Sequence, residues 1–283
     1  ISSIFNTFRN PDKETVLTPW RVVNMHLGDC LGGYSFYDEQ YAKMLDVPRY
    51  IDGGKVTEDV YATDSKVLEI NSKSGLYPLF VAYNIYRRRV EEAKRKYGEV
   101  DRGFALSLWD STIEQNIFVI CKTPMARDIT RRTLVGFRNT RVNAQYYKDL
   151  IEVIKNNPAT FVNEVRDGRR FWNTNNNDHM KFNAIVGNPP YQVMDGGHGS
   201  SSKSIYNEFV TISQKIAPLY ISMIMPSRWM TGGKGLDAFR DMMINDKRIQ
   251  IMHDFMEASA LFSNVQIEGG ICYFLWNSRY SKP

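Results

Sequence analysis

The chain has 283 residues, 36 Lys plus Arg against 31 Asp plus Glu, and a formal charge of +5. With 43% hydrophobic and 24% charged residues it is a folded chain long enough to bury a core, which excludes disorder. No apolar run approaches the roughly 18 residues of a membrane span. Its three scattered cysteines, Cys30, Cys121 and Cys272, exclude a disulfide scaffold or Cys-rich zinc module and point to a reducing compartment. The opening residues ISSIFNTFRN carry neither an initiator Met nor a signal-peptide pattern, so a piece of a longer chain is expected.

Residues 1–64 are rich in Gly, Asp and Tyr without a clean period, and an irregular segment packed on the rest is expected. From residue 65 to 283, short apolar runs alternate with amphipathic helices, the pattern of a parallel α/β sheet. Lys66–Ile70 reads as a strand. Leu76, Leu79, Phe80, Tyr83, Tyr86 and Val90 share one face of a helix that ends at Gly98. Residues 104–109 (FALSLW) and 116–121 (NIFVIC) read as strands. Thr123 caps and Pro124 opens a helix stopped by Gly136. A helix is expected from Ala144 to Lys155, and a polar, Asn-rich loop over 167–181. Phe182–Gly187 is a strand, followed by the Gly/Ser-rich loop DGGHGSSSKS. Ile205–Ile216 (helix), Leu219–Met225 (strand), Leu236–Ile244 (helix) and strands over 249–255 and 269–276 complete the pattern. Basic clusters at Arg87–Arg89, Lys94–Lys96 and from Arg127 to Arg141 permit nucleic acid as a partner, but a solvated helix face is the favoured reading of such runs.

The chemistry is carried by Asn188–Pro189–Pro190–Tyr191, directly after an apolar strand. Asn-Pro starts turns, so a turn is the simplest reading. In an open parallel sheet, however, a loop at a strand's carboxyl end is where ligands bind. Asn188 offers a side-chain carbonyl and Pro189 a backbone carbonyl, held on a backbone stiffened by two prolines. Two converging acceptors suit an –NH₂ donor. Hydrogen bonds accepted from an exocyclic amine favour a more tetrahedral nitrogen, with its lone pair aimed at an electrophile. Tyr191 offers a flat face for a planar base, worth about 1–3 kcal/mol in stacking. A base held in this way has left the duplex.

The segment FNAIVGNPPYQ resembles the catalytic motif of S-adenosylmethionine-dependent DNA methyltransferases acting on the exocyclic amine of adenine. LTPWRVVN (17–24), VLEINSKSGLYPL (67–79), NIFVICKTPMARDITRRTL (116–134), MIMPSRWMTGGKGLDAFR (223–240) and FSNVQIEGG (262–270) extend the likeness to the methylase module of type II restriction–modification enzymes with nuclease and methylase in one chain. The resemblance implies a Rossmann-like fold, a mostly parallel sheet with helices on both faces, and an antiparallel strand near the end. It also implies methyl transfer to a flipped adenine of double-stranded DNA in a bacterial or archaeal cytoplasm, without a metal or a covalent enzyme intermediate.

By the same resemblance, Thr18 and Pro19 match the motif that holds the cofactor's methionine carboxylate, Glu69 the acid facing its ammonium, and Asn71 and Gly75 the turn beneath it. Lys73 stands where an earlier glycine is expected. Cys121 stands where an acid binds the ribose, and Asp110, after FALSLW, is the substitute acid. Phe262 matches an aromatic that packs on the flipped base beside Tyr191. Pro226–Trp229 follows a strand end on the same side. Pro11–Asp12 and Glu92–Ala93–Lys94 loosely resemble a nuclease signature, but Glu92 and Lys94 read as surface charge on a helix. The nuclease and target-recognition domains are expected elsewhere in the parent chain. Two other functions fit the residues. One is transfer to another planar amine (RNA adenine, the cytosine amine, a protein Gln). The other, motivated by Lys73 and Cys121, is nucleic-acid binding by a methylase core that has lost its cofactor.

Overall fold

Val67–Ile70, Ile117–Cys121 and Ala184–Gly187 are buried at every position, so their sheet needs cover on both faces. The computed structural model, which describes residues 17–174, 179–194, 202–262 and 267–281, shows that cover. In chain order the elements are α1 (Trp20–Leu31), β1 (Gly33–Tyr37), β2 (Met44–Ile51), α2 (Lys55–Val60), β3 (Val67–Ile70), α3 (Leu76–Tyr97), α4 (Arg102–Asn116) and β4 (Ile117–Cys121). There follow α5 (Pro124–Val135), β5 (Asn143–Tyr146), α6 (Leu150–Asn156), α7 (Pro158–Val165), β6 (Ala184–Gly187), β7 (Gln192–Met194) and β8 (Ser202–Ser204). The last are α8 (Tyr206–Ile216), β9 (Tyr220–Pro226), α9 (Asp237–Asn245), β10 (Ile249–Phe255) and β11 (Ile271–Asn277).

Seven strands form one sheet in the order β10-β11-β9-β6-β3-β4-β5. Neighbours from β9 to β5 are parallel, and β11 runs antiparallel to both β9 and β10. The chain steps outward from β3 through β4 to β5, then returns to place β6 on the other side of β3. That reversal opens a crevice at the carboxyl ends of β3 and β6, the position where open α/β sheets bind ligands.

Strand residues alternate between two apolar clusters, as the period of 2 requires. Val67, Val119, Val186 and Ile224 face α1, α3 and α5. Leu68, Phe118, Ile185 and Met223 face the layer of α6, α7, α8 and α9. By this alternation Glu69 lies on the face covered by α1 and α3. Among the described residues no helix is long and apolar enough to cross a membrane.

Three expectations are corrected. FALSLW is part of α4: Asp101 caps the helix by accepting from the Phe104 N–H at 2.7 Å, and Phe104, Leu106 and Leu108 are half-buried or exposed. Their alternation marked no buried sheet face. Residues 144–155 are split between β5 and α6, because Asn143–Tyr146 pairs in parallel with Phe118–Cys121 as the sheet's edge. Residues 17–64 are regular rather than irregular, forming α1, the β1–β2 hairpin and α2.

Basic residues on α3 bind this N-terminal part. Arg87 lies 4.4 Å over the Tyr34 ring, Arg88 donates to the Glu58 carbonyl at 3.1 Å and Arg89 to the Thr63 carbonyl at 2.7 Å. Glu92 is exposed and pairs with Arg88 at 3.7 Å, while Pro11 and Asp12 lie outside the described residues. Of the Gly/Ser-rich loop and of the FSNVQIEGG segment, residues 195–201 and 263–266 also lie outside them.

Candidate active site

The turn after β3 is held by its neighbours. The Asn71 and Ser72 N–H groups both donate to the Ile120 carbonyl at the end of β4, at 2.8 and 2.9 Å. Asn71 has φ 72° and Gly75 has φ 76°, a region that asparagine tolerates and glycine adopts freely. Gly75 opens α3 against α5, where a Cβ would meet the Thr130 Cα at 3.1 Å. Thr133 adds a hydrogen bond to the Ser74 carbonyl at 2.7 Å.

Glu69 is 6% exposed, and its Oε2 has no hydrogen-bond partner among the described residues. Burial raises its pKa to about 7, opposed by a hydrogen bond from Ser72 and by the positive charge of Lys73. A buried carboxylate oxygen without a partner is costly unless a donor arrives. Glu69 also lies against the end of β6. Gly187 ends β6 with φ 151°, and a Cβ there would stand 3.3 Å from the Glu69 Cγ. The glycine lets the acid lie across the strand end, one residue before Asn188.

Asn188 is buried. Its amide is oriented by what surrounds it: Nδ2 faces the Ile224 and Pro189 carbonyls, each at 3.2 Å, and the Tyr191 hydroxyl at 3.0 Å, while Oδ1 accepts from the Thr18 hydroxyl at 2.9 Å. The opposite orientation would set the amide oxygen against two carbonyl oxygens. Thr18 and Asn188, 170 positions apart, therefore share one hydrogen bond. Pro19 precedes α1, and its carbonyl accepts from Val22 and Val23 at 3.0 and 3.1 Å. Pro189 and Pro190 are buried in the turn after β6.

Residues 115–262, just over half of the chain, match the family model of the Eco57I restriction-modification methylases. The chain belongs to this family. It is also 31% identical over 147 residues to an uncharacterized adenine-specific methylase of Mycoplasma pneumoniae, covering 51% of this chain and 34% of that protein. Two solved structures share the fold. One, from work on complex assembly and conformational transition of the type I R-M system, has TM-score 0.52 at 12% identity and covers 94% of this chain and 43% of that one. The other is a modification subunit of a proposed type I restriction enzyme from Vibrio vulnificus YJ016, with TM-score 0.51 at 10% identity, covering 99% and 49%. The chain thus spans about a third of the curated relative and less than half of either structure. The Rossmann-like methyltransferase fold expected from the sequence is the fold observed.

Within this Eco57I-family methylase, Thr18, Glu69, Asn71, Gly75 and Asn188 gather at one edge of the sheet. Tyr191 joins them through its hydroxyl, 3.0 Å from the Asn188 amide; Tyr191 and Phe262, 7% and 2% exposed, both belong to the apolar cluster on the face covered by α1 and α3. Asp110 does not join them. It sits midway along α4 and pairs with Arg138 at 2.8 Å. Arg138 lies between α5 and β5, at the amino edge of the sheet, so the strand that would have aimed Asp110 at the ribose does not exist. Cys121 ends β4 fully buried, its thiol pushed up to about 12 by burial and by the charge of Glu69. It presents a neutral thiol, 4.0 Å from the Thr130 hydroxyl. Of Pro226–Trp229, Trp229 is a core residue donating to the Cys272 Sγ at 3.4 Å, while Arg228 stands at the rim, paired with Glu268 at 2.8 Å. The sequence reading missed His26, Tyr77 and Ser222, which border the site. The available signal was a histidine on the apolar stripe of α1 (Val22, Val23, Leu27, Cys30, Leu31).

Proposed function

We propose that this chain is the catalytic part of an adenine-specific DNA methyltransferase of a restriction–modification system, using S-adenosylmethionine and duplex DNA. The observation that carries the reading is the meeting of Asn188 with Glu69 and Thr18 at the switch point of the sheet. Two features of the pocket fit the methionine end of the cofactor. The unpartnered Glu69 Oε2 suits its ammonium, and the Thr18 hydroxyl suits its carboxylate. Asn71 and Gly75 shape the turn beneath it. Neither Cys121 nor Asp110 supplies an acid for the ribose. The bound cofactor supplies a methyl group on a positively charged sulfur.

The protein's part is to present the nucleophile. Asn188 Oδ1 and the Pro189 carbonyl accept the two amino protons of a flipped adenine, which turns the nitrogen lone pair outward. Both acceptors are engaged in this structure, one by Thr18 and the other by the amide of Asn188 itself, so the Asn188 side chain must turn to receive the base. Tyr191 and Phe262, both covered here, supply ring faces once the base enters. A thiolate adding to a base is disfavoured, since Cys30, Cys121 and Cys272 are buried and their thiols are pushed up to about 12, 12 and 11. This favours transfer to an exocyclic amine over a ring carbon.

The test is transfer of labelled methyl from S-adenosylmethionine to duplex DNA. Asn188→Ala removes one of two converging acceptors and should slow transfer by about 10²-fold or more. Label found on cytosine, or full turnover by Asn188→Ala, would overturn the proposal.

A further inference from the structure

Thr18 and Asn188 are 9% and 6% exposed and meet through one hydrogen bond of 2.9 Å. The far end of the Asn188 amide faces the Ile224 and Pro189 carbonyls, each at 3.2 Å, and the Tyr191 hydroxyl at 3.0 Å. An amide has a donor end and an acceptor end, a carbonyl only accepts, and a hydroxyl does either. Two orientations of the amide therefore fit the same frame of atoms, and Thr18 plays opposite parts in them. With Nδ2 toward the carbonyls, every one of these groups is paired, and Thr18 donates to Oδ1. With the amide turned over, Nδ2 donates to Thr18, and Oδ1 stands against two carbonyl oxygens until another donor comes between them.

The first orientation sets a donor of the protein's own on the Pro189 carbonyl, in the place that a substrate amine would take. The second sets Oδ1 beside the Pro189 carbonyl, as the acceptor pair that an –NH₂ group fills with its two protons. Passing from the first to the second requires the Thr18 proton to leave Oδ1. Thr18 has a single proton, and it is the group that the proposed function sets against the methionine carboxylate. A hydroxyl proton makes a stronger bond to a carboxylate than to a neutral amide oxygen. The oxygen of that hydroxyl then accepts from Nδ2.

We infer that Thr18 is a positioning residue that couples the two halves of the site: by turning its proton from Oδ1 to the cofactor's carboxylate it accepts from Nδ2, so that Asn188 presents its oxygen to the amine. The inference rests on the proposed function and deepens it, because the acceptor pair then forms only after the cofactor's amino-acid end is held. Only hydrogen bonds change in this step. By linkage, bound DNA tightens the cofactor by the same factor.

The test is the affinity of the chain for duplex DNA carrying the methylated site, mapped beforehand from wild-type reaction products, with and without S-adenosylhomocysteine. That compound keeps the carboxylate and ammonium but has no methyl group to transfer. Saturation with it should tighten wild-type binding about tenfold in fluorescence anisotropy, a coupling ordinary for two linked sites. Methylthioadenosine, which lacks the amino-acid end, should give no such gain. Thr18→Val keeps the shape of the side chain but neither donates nor accepts, so the gain should vanish even at saturating S-adenosylhomocysteine. Thr18→Ser keeps the hydroxyl and should restore the gain. A merely structural role for Thr18 would weaken DNA binding equally with and without S-adenosylhomocysteine. Should Thr18→Val fail to fold, Asn188→Ala decides, since with no amide to turn the gain should be lost there as well. Wild-type DNA binding indifferent to S-adenosylhomocysteine, or a gain undiminished in these variants, overturns the inference. A wild-type chain that binds no S-adenosylhomocysteine, or that methylates no DNA, refutes the proposed function itself.

Discussion

Replacing Glu69 by Gln separates what the fold tolerates from what the site requires. Glu69 has a folded pKa of about 7 against an ordinary 4.5, with burial as the main cause. Between these values the folded chain holds a proton that the unfolded chain has released. Stability therefore falls as pH rises through that window, by on the order of 3 kcal/mol in all. The cost is fully present above pH 7 and absent below about pH 4.5. Gln carries no titrating proton, so Glu69→Gln should exceed wild type in urea unfolding by about 2–3 kcal/mol at pH 8. The difference should shrink toward nothing near pH 5. The same variant lacks the charge that meets the cofactor's ammonium, so its affinity for S-adenosylmethionine should fall as its stability rises. Glu92→Gln, at an exposed position on α3, should change neither quantity appreciably. A Glu69→Gln protein no more stable than wild type at pH 8, or a gain that persists undiminished at pH 5, would refute the reasoning. So would unaltered cofactor binding.

If the ammonium draws Glu69 into its ionised form, cofactor binding at pH 6 should release close to one proton, read from calorimetry in buffers of different ionisation heat; no buffer dependence would count against the pairing. Tyr191→Ala should weaken the hold on the base by about 1–3 kcal/mol in DNA binding with an abasic-site comparison, while Tyr191→Phe should be mild. Equal damage in both would show that the hydroxyl beside Asn188, rather than the ring, is what the site uses. Gly75→Ala places a side chain at φ 76°, within 3.1 Å of the Thr130 Cα, and should destabilise by about 1–3 kcal/mol in a urea melt.

Local pattern was enough for much of this protein. The runs at 67–70, 117–121 and 184–187, apolar but for Glu69 and separated by amphipathic helices, read as a sheet covered on both faces. The Thr123–Pro124 start and the Gly136 stop of α5 were legible because capping chemistry is local, and the structure shows Thr123 accepting from the Ala126 N–H at 3.1 Å. Asn188–Tyr191 stood out because an Asn-Pro-Pro-aromatic turn directly after a buried strand has few structural reasons to exist.

Contacts between distant segments decided the rest. Residues 104–109 alternate like a strand, but alternation reports a strand only when one face is buried, and α4 leaves those side chains at its surface. Residues 143–146 carry little strand propensity and became β5 because the edge of β4 offered unpaired backbone groups. Asp110 was lost to the site through the first of these differences. The link between Thr18 and Asn188, the contact of the Glu69 side chain with Gly187, and the hydrogen bonds of His26 to Tyr77 and Ser222 each join residues far apart in sequence. Hydrogen-bond direction and desolvation depend on which groups meet in the buried space, and only the tertiary structure determines that.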